Sequence, residues 1–95
     1  MVVGIMEISL KMEGTESLKD KRRILRSLLE RARHDYHVAI AEVDDQDLWG
    51  NATLGVSCVS NDAAHVESIM NHVLALIDEN VEVEVDNVCR EVERR

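Results

Sequence analysis

Aromatic residues are nearly missing from this 95-residue chain, which has one Trp, one Tyr and no Phe. The core must therefore be built from aliphatic side chains. Modules that read single-stranded RNA stack bases on exposed aromatic rings, so this scarcity argues against a base-stacking surface. Proline is absent as well, and no low-complexity tract or internal repeat divides the chain. We expect one domain that spans residues 1–95.

Cysteines and long apolar runs are also scarce. The two cysteines, Cys58 and Cys89, form no C-x-x-C pair, which disfavours structural zinc and thioredoxin-like chemistry. No apolar run is long enough to span a membrane, and the first ten residues lack the basic region and cleavage site of a secretory signal. We therefore expect a cytoplasmic protein without membrane attachment, whose reduced thiols behave as small apolar groups.

Hydrophobic periodicity predicts four strands and two helices. The strands are expected at residues 2–12, 36–43, 52–60 and 81–88. The first helix should span residues 18–34 after an N-cap at Ser17, and the second should follow a cap at Ser60 or Asn61 and end near Glu79. The order βαββαβ predicts a ferredoxin-like α+β sandwich with both helices on one face of a four-stranded antiparallel sheet.

On the outer face of that sheet, the first and third strands, which should be central, are expected to show small, uncharged and partly apolar side chains. Val3 and Ile5 on the first strand and Val59 on the third supply its apolar part. Such a face could be the centre of a homodimer, which we expect this chain to form. Trp49, the sole Trp, stands in a loop beside Gly50. It either caps the open end of the core or contacts a partner, as interface Trp residues do.

Positive charge is missing from more than half of the chain. No Lys or Arg occurs between His37 and Cys89, and the net charge is −8. Eight of the 11 basic residues fall between Lys11 and Arg33. On a helical wheel, one stripe beside the apolar arc collects the following residues: Lys19, Arg22, Arg23, Arg26 and Arg33.

Three interpretations of this basic stripe stay open. In the first, the stripe is a solvated helix face with local pairs such as Asp20 with Arg23 and Arg26 with Glu30. In the second, its guanidinium groups bind RNA phosphates, independently of base sequence. In the third, opposite charges on one molecule favour self-association or steer partner choice.

No catalytic residue, metal site or cofactor is predicted. The acidic run from Glu42 to Asp47 departs from a calcium loop, because Trp49 and Val56 replace required oxygen ligands. His65 and His72 lie about 10 Å apart along a helix, too far to share a metal ion. No Ser or Cys stands in a recognisable nucleophile motif. An enzyme is thus the less favoured class.

Three stretches resemble the YlxP-like family of small, uncharacterised bacterial proteins: "VVGIMEISL", "SLKDKRRILRSLLERAR" and "AEVDDQDLWGNATLGVSCVSND". The resemblance covers nearly the whole chain. It implies a ferredoxin-like fold and genes that often lie among those for translation and ribosome-maturation factors. It implies no established catalytic residues.

Two functional hypotheses follow. The first is a non-catalytic binding module in translation or ribosome maturation, which contacts ribosomal RNA phosphates or a ribosomal protein through the basic first helix. DNA is not expected as a partner. The second is a homodimer that binds a small ligand or acts as an enzyme, using the outer sheet face and the loop from Asp44 to Trp49.

Overall fold

Four strands and two helices alternate along the chain in a computed structural model that describes residues 1–95. They are β1 (Val2–Lys11), α1 (Leu18–Tyr36), β2 (Ala39–Asp44), β3 (Asn51–Ser60), α2 (Ala63–Asp78) and β4 (Glu84–Arg94). The strands form one antiparallel sheet in the order β2-β3-β1-β4. The predicted ferredoxin-like βαββαβ architecture is confirmed.

Both helices begin at polar caps that the chain provides locally. The Ser17 hydroxyl accepts a hydrogen bond from the Asp20 backbone N–H at 3.1 Å, as an N-cap should. For α2 the cap is Asp62, which accepts from the Ala64 N–H at 3.1 Å, and the predicted caps at Ser60 and Asn61 are wrong by one or two residues. Helix α1 runs two residues further than predicted and ends at His37 in the left-handed conformation.

Strand β4 is the element whose position differs most from the prediction. The sequence pattern places it at residues 81–88, whereas the strand spans Glu84–Arg94, and Val81 lies in the preceding turn. The pairing with β1 slips between Ser9 and Leu10, which leaves Asp86 as an extra residue. A bulge of this kind exchanges the odd-numbered and even-numbered residues between the two faces of a strand. The alternation of Val81, Val83 and Val85 therefore does not continue after Asp86.

A single aliphatic core of 20 residues fills the space between the sheet and the helices. The even-numbered residues of β1 and β3 face it, including Met6, Ile8 and Leu54, which are fully buried. Gly4 allows α2 to approach β1 closely, since a Cβ atom there would lie 2.5 Å from Val66 Cγ1. Neither helix combines the length and apolar content that crossing a membrane requires.

Candidate nucleic-acid interface and neighbouring surfaces

Helix α1 separates an apolar inner face from a charged outer face. Ile24, Leu25 and Leu28 on the inner face are buried in the core. Lys19, Arg22 and Arg26 lie on the outer face, are exposed, and make no ion pair or hydrogen bond with another residue. We call these three residues the basic row. An open groove along α1 is lined only by polar and charged side chains, with the basic row among them.

The ion pairs show how unevenly positive charge is neutralised. Five of the 11 Lys and Arg residues contact a carboxylate: Lys11, Lys21, Arg23, Arg90 and Arg95. Six therefore have no carboxylate partner, and five of those six belong to α1: Lys19, Arg22, Arg26, Arg31 and Arg33. The chain is acidic overall, yet α1 carries nearly all of its unpaired cations.

Arg23 is partly neutralised by the protein itself. Its guanidinium lies 2.8 Å from Asp20 Oδ1 and 3.1 Å from Glu82 Oε2. The hydrogen bond with Asp20, followed by that with Glu82, raises the pKa of Arg23, and the same hydrogen bond from Arg23 lowers the pKa of Asp20. The predicted Asp20–Arg23 pair is therefore present. A pair between Arg26 and Glu30 is not formed, which leaves Arg26 free.

Arg33 has a structural contact that separates it from the basic row. Its guanidinium donates to the Ile40 carbonyl oxygen at 2.7 Å. Strand β2 is an edge strand of the sheet, and unpaired edge carbonyls invite pairing with other chains. Arg33 thus has a hydrogen-bond partner on an edge strand, although its position on the helical wheel groups it with the other basic residues.

Lys21 is the residue that sequence reasoning missed. Its side chain is 1% exposed, and its ammonium donates to the carbonyl oxygens of Asp45, at 2.7 Å, and Leu48. Glu42 Oε2 lies 2.7 Å from the same Nζ. That oxygen is buried and accepts no hydrogen bond of good geometry, so the contact is electrostatic. Lys21 therefore ties α1 to the loop between β2 and β3.

Within that loop, carboxylates serve the local backbone. Asp45 has a φ of 63°, a left-handed conformation that Asp tolerates better than most residues. Its N–H donates to Asp44 Oδ1 at 2.8 Å, and its own Oδ2 accepts from the Thr53 hydroxyl at 2.9 Å. No three His, Cys, Asp or Glu side chains in the molecule are grouped so that they could hold a metal ion.

The predicted dimer contacts fall on two distant parts of the sheet. Val3 pairs with Val59 across adjacent strands, and Ile5 and Val59 are exposed on the outer face. Trp49 precedes Asn51, which pairs with Lys11 at the opposite end of β1 and β3. Eight residues of strand separate Asn51 from Val59, or about 26 Å. Val3, Ile5 and Val59 thus form one patch, and Trp49 belongs to another surface.

The two thiols also differ in their surroundings. Cys58 is buried beneath α2, and this burial raises the pKa of its thiol. Cys89 is exposed on β4. The expectation that both behave as small apolar residues suits Cys58 but not Cys89.

A family model for proteins of unknown function, DUF503, matches residues 3–90 of the chain. The chain belongs to the DUF503 family. It is 32% identical over 83 residues to the uncharacterized protein YlxP of Bacillus subtilis (strain 168), which covers 87% of this chain and 90% of YlxP. The predicted resemblance to YlxP-like proteins is confirmed.

Solved structures similar to this DUF503 chain share only its fold. A de novo designed protein with a ferredoxin fold matches at a TM-score of 0.58 and 10% identity, covering 100% of this chain and 88% of the design. Rv0793 from Mycobacterium tuberculosis matches at a TM-score of 0.50 and 17% identity, covering 97% of this chain and 94% of Rv0793. An amidase of the hydantoinase/carbamoylase family from Burkholderia phymatum matches at a TM-score of 0.53 and 16% identity, and the match covers only 27% of the amidase chain.

Proposed function

We propose that this DUF503 protein is a cytoplasmic, non-catalytic module that binds RNA phosphates through α1 during translation or ribosome maturation. One observation carries the proposal: Lys19, Arg22 and Arg26 are exposed on one side of α1 without a carboxylate partner. An acidic protein that neutralises most cations outside this helix, but leaves these free, has a surface suited to a polyanion.

The spacing of the basic row suits one strand of a nucleic acid. Lys19, Arg22 and Arg26 follow one another at i, i+3 and i+7, which places them along about 10 Å of the helix. Phosphates recur every ~3.4 Å of axial rise along one strand, so such a row can reach two or three of them. Arg supplies planar N–H donors that match phosphate oxygens, and an exposed Arg changes its rotamer to do so at little cost.

The remaining surfaces favour contact with the RNA backbone over readout of its bases. The outer sheet face has no aromatic side chain, and Glu7 and Glu91 lie on it. Tyr36 is half-buried and stacks on His72 at a centroid distance of 5.6 Å. Because bases are read by stacking and edge hydrogen bonds, we expect sequence-independent binding in which α1 faces the RNA and the acidic sheet points away from it.

Charge reversal on the basic row tests this proposal. The double variant Arg22→Glu with Arg26→Glu should lose co-sedimentation with ribosomal subunits at low salt, whereas the unchanged protein should co-sediment and be released as salt rises. Arg94→Glu with Arg95→Glu, at the far end of β4, changes the net charge equally and should leave co-sedimentation intact. Equal loss in both double variants, or no co-sedimentation of the unchanged protein at low salt, would refute the proposal.

A second candidate is a homodimer formed through the outer sheet face, with a small ligand held at its edges. It is favoured by the exposure of Ile5, Val43 and Val59 on that face. The β3 neighbours Gly55 and Ser57 are small and uncharged, whereas β4 places Glu91 beside Ile5. The face measures roughly 19 by 33 Å, enough for an interface at the lower end of the standard size. Light scattering should report a dimer, and Ile5→Glu with Val59→Glu should return a folded monomer.

A further inference from the structure

We propose that a shallow depression beside Trp49 binds a basic polypeptide segment that carries apolar side chains. The depression lies between the turn after β1 and the loop before β3. The side chains that define it are Met12, Glu13, Thr15, Leu48, Trp49 and Asn51. It shares no lining residue with the groove that contains the basic row, so the two sites can be tested with separate variants.

The apolar part of the depression is suited to an anchor side chain. Leu48 is 49% exposed and Trp49 is 50% exposed, although both are large apolar residues. Met12 is fully buried beside them. Exposed Trp side chains next to apolar neighbours are typical of the few positions that supply most of the free energy in protein interfaces.

Thr15 provides an unused hydrogen-bonding group in the same depression. The residue is only 6% exposed, and its hydroxyl has no hydrogen-bond partner. Its backbone N–H is already bound to the Met12 carbonyl oxygen at 3.0 Å. Buried polar groups nearly always have a hydrogen-bond partner, so one without a partner requires an explanation. A hydroxyl both donates and accepts. Because the Thr15 hydroxyl oxygen is itself buried, it would pair with a backbone C=O or N–H of a bound peptide after a change of rotamer towards the depression.

The charge around the depression favours a cationic segment. Glu13 lines it, Glu16 follows Thr15 in the segment before α1, and Asp44 and Asp47 stand at the end of β2 and in the loop that leads to Trp49; none of the four has a cationic partner. Lys21, the cation that contacts this loop, is buried and occupied by carbonyl oxygens. An acidic rim around an apolar centre selects a basic partner and disfavours an acidic one or a nucleic acid.

The depression is also held in place before any partner arrives. Lys21 binds the Asp45 and Leu48 carbonyl oxygens, and the Met12 N–H donates to the Gly50 carbonyl oxygen at 2.9 Å. Preorganised loops lose less conformational freedom on binding, which raises affinity. Lys21 is thus a positioning residue for this surface.

Because Trp49 is the only Trp in the chain, its fluorescence reports on the depression alone. We would titrate the protein with three synthetic heptapeptides: alternating Lys and Leu, alternating Lys and Gly, and alternating Glu and Leu. The Lys-Leu peptide should shift Trp49 emission saturably. The Lys-Gly peptide should bind at least about tenfold more weakly because it lacks anchors, and the Glu-Leu peptide should not bind.

Variants separate a built site from general attraction to an acidic protein. Thr15→Val and Glu13→Gln with Asp47→Asn should each weaken binding of the Lys-Leu peptide, whereas Glu91→Gln with Glu93→Gln on β4 should not. The Arg22→Glu, Arg26→Glu protein should bind the peptide as well as before, whatever becomes of its RNA binding. Equal weakening by both pairs of acidic substitutions, or equal binding of all three peptides, would overturn the proposal. So would a dimer that Trp49→Ala converts to a monomer, because a second copy would then be the occupant.

Discussion

Lys21 and Arg22 are neighbours in the sequence, but they lie in opposite environments. Lys21 is buried to 1% exposure and has three oxygen contacts. Arg22 is exposed and has none. About 100° of helical rotation separates them, and this rotation decides whether a cation holds the fold together or stays free for a partner. A run of basic residues should therefore be divided by helical phase before its charge is assigned to one role.

The largest effect expected from this comparison is the loss of Lys21. Lys21→Met should lower the free energy of unfolding by about 3 kcal/mol or more, because it leaves the partly buried Glu42 carboxylate without its cation and two carbonyl oxygens without a donor. Urea denaturation would measure it. The matched substitution Lys19→Met, on the exposed face, should change stability by no more than about 0.5 kcal/mol. Similar losses of stability in the two variants would contradict the contrast between the buried and exposed faces of α1.

A smaller effect is expected at the start of α1, where the cap fixes the first turn and hence the direction of the basic row. Ser17→Ala should cost about 1 kcal/mol, since the Asp20 N–H loses its acceptor. Ser27→Ala is a suitable control because Ser27 lies exposed within the same helix, where Ala is favoured. Thermal or urea unfolding of the two variants gives the comparison directly, and an equal cost at both positions would argue against capping by Ser17.

The smallest effect concerns Arg23, which is exposed like Arg22 but, like Lys21, contacts carboxylates. The pKa of Asp20 is lowered by the hydrogen bond from Arg23, so the pair stabilises the folded state above the ordinary Asp pKa. That contribution should be lost as the pH falls through the lowered value. Because the pair is exposed, the change should be small and reduced by salt. As the pH is lowered from 6 to about 2, the melting temperature of Asp20→Asn should fall slightly less steeply than that of the unchanged protein. An identical pH dependence in the two proteins would show that the Asp20–Arg23 pair does not stabilise the fold.

Much of the fold was predictable because apolar periodicity is local information. The alternation in β1 and β3 and the apolar stripes of both helices gave the element order, and with it the ferredoxin-like topology. Strand β4 was misplaced because the extra residue Asp86 changes the parity of the strand. A bulge depends on pairing with a distant strand, which the sequence of β4 alone does not contain.

The candidate site was predictable in outline and not in its contacts. The helical wheel identified Lys19, Arg22 and Arg26 as outward-facing residues. It could not reveal that Arg33 binds the Ile40 carbonyl oxygen, because that contact needs β2 in position. A signal for Lys21 did exist: the residue stands in the 3-4 spacing of Leu18, Leu25 and Leu28. A cation in that phase should have suggested a buried partner.

The salt dependence of RNA affinity tests the basic row most directly. We would measure binding of a fluorescent ribosomal RNA hairpin by anisotropy, at several salt concentrations, for the unchanged protein and for Arg22→Ala with Arg26→Ala. Each lost phosphate contact should reduce the slope of log affinity against log salt by about 0.7–0.9, so the double variant should show a slope shallower by roughly 1.5. An unchanged slope in the double variant would contradict the account, because the two guanidinium groups would then contact no phosphate.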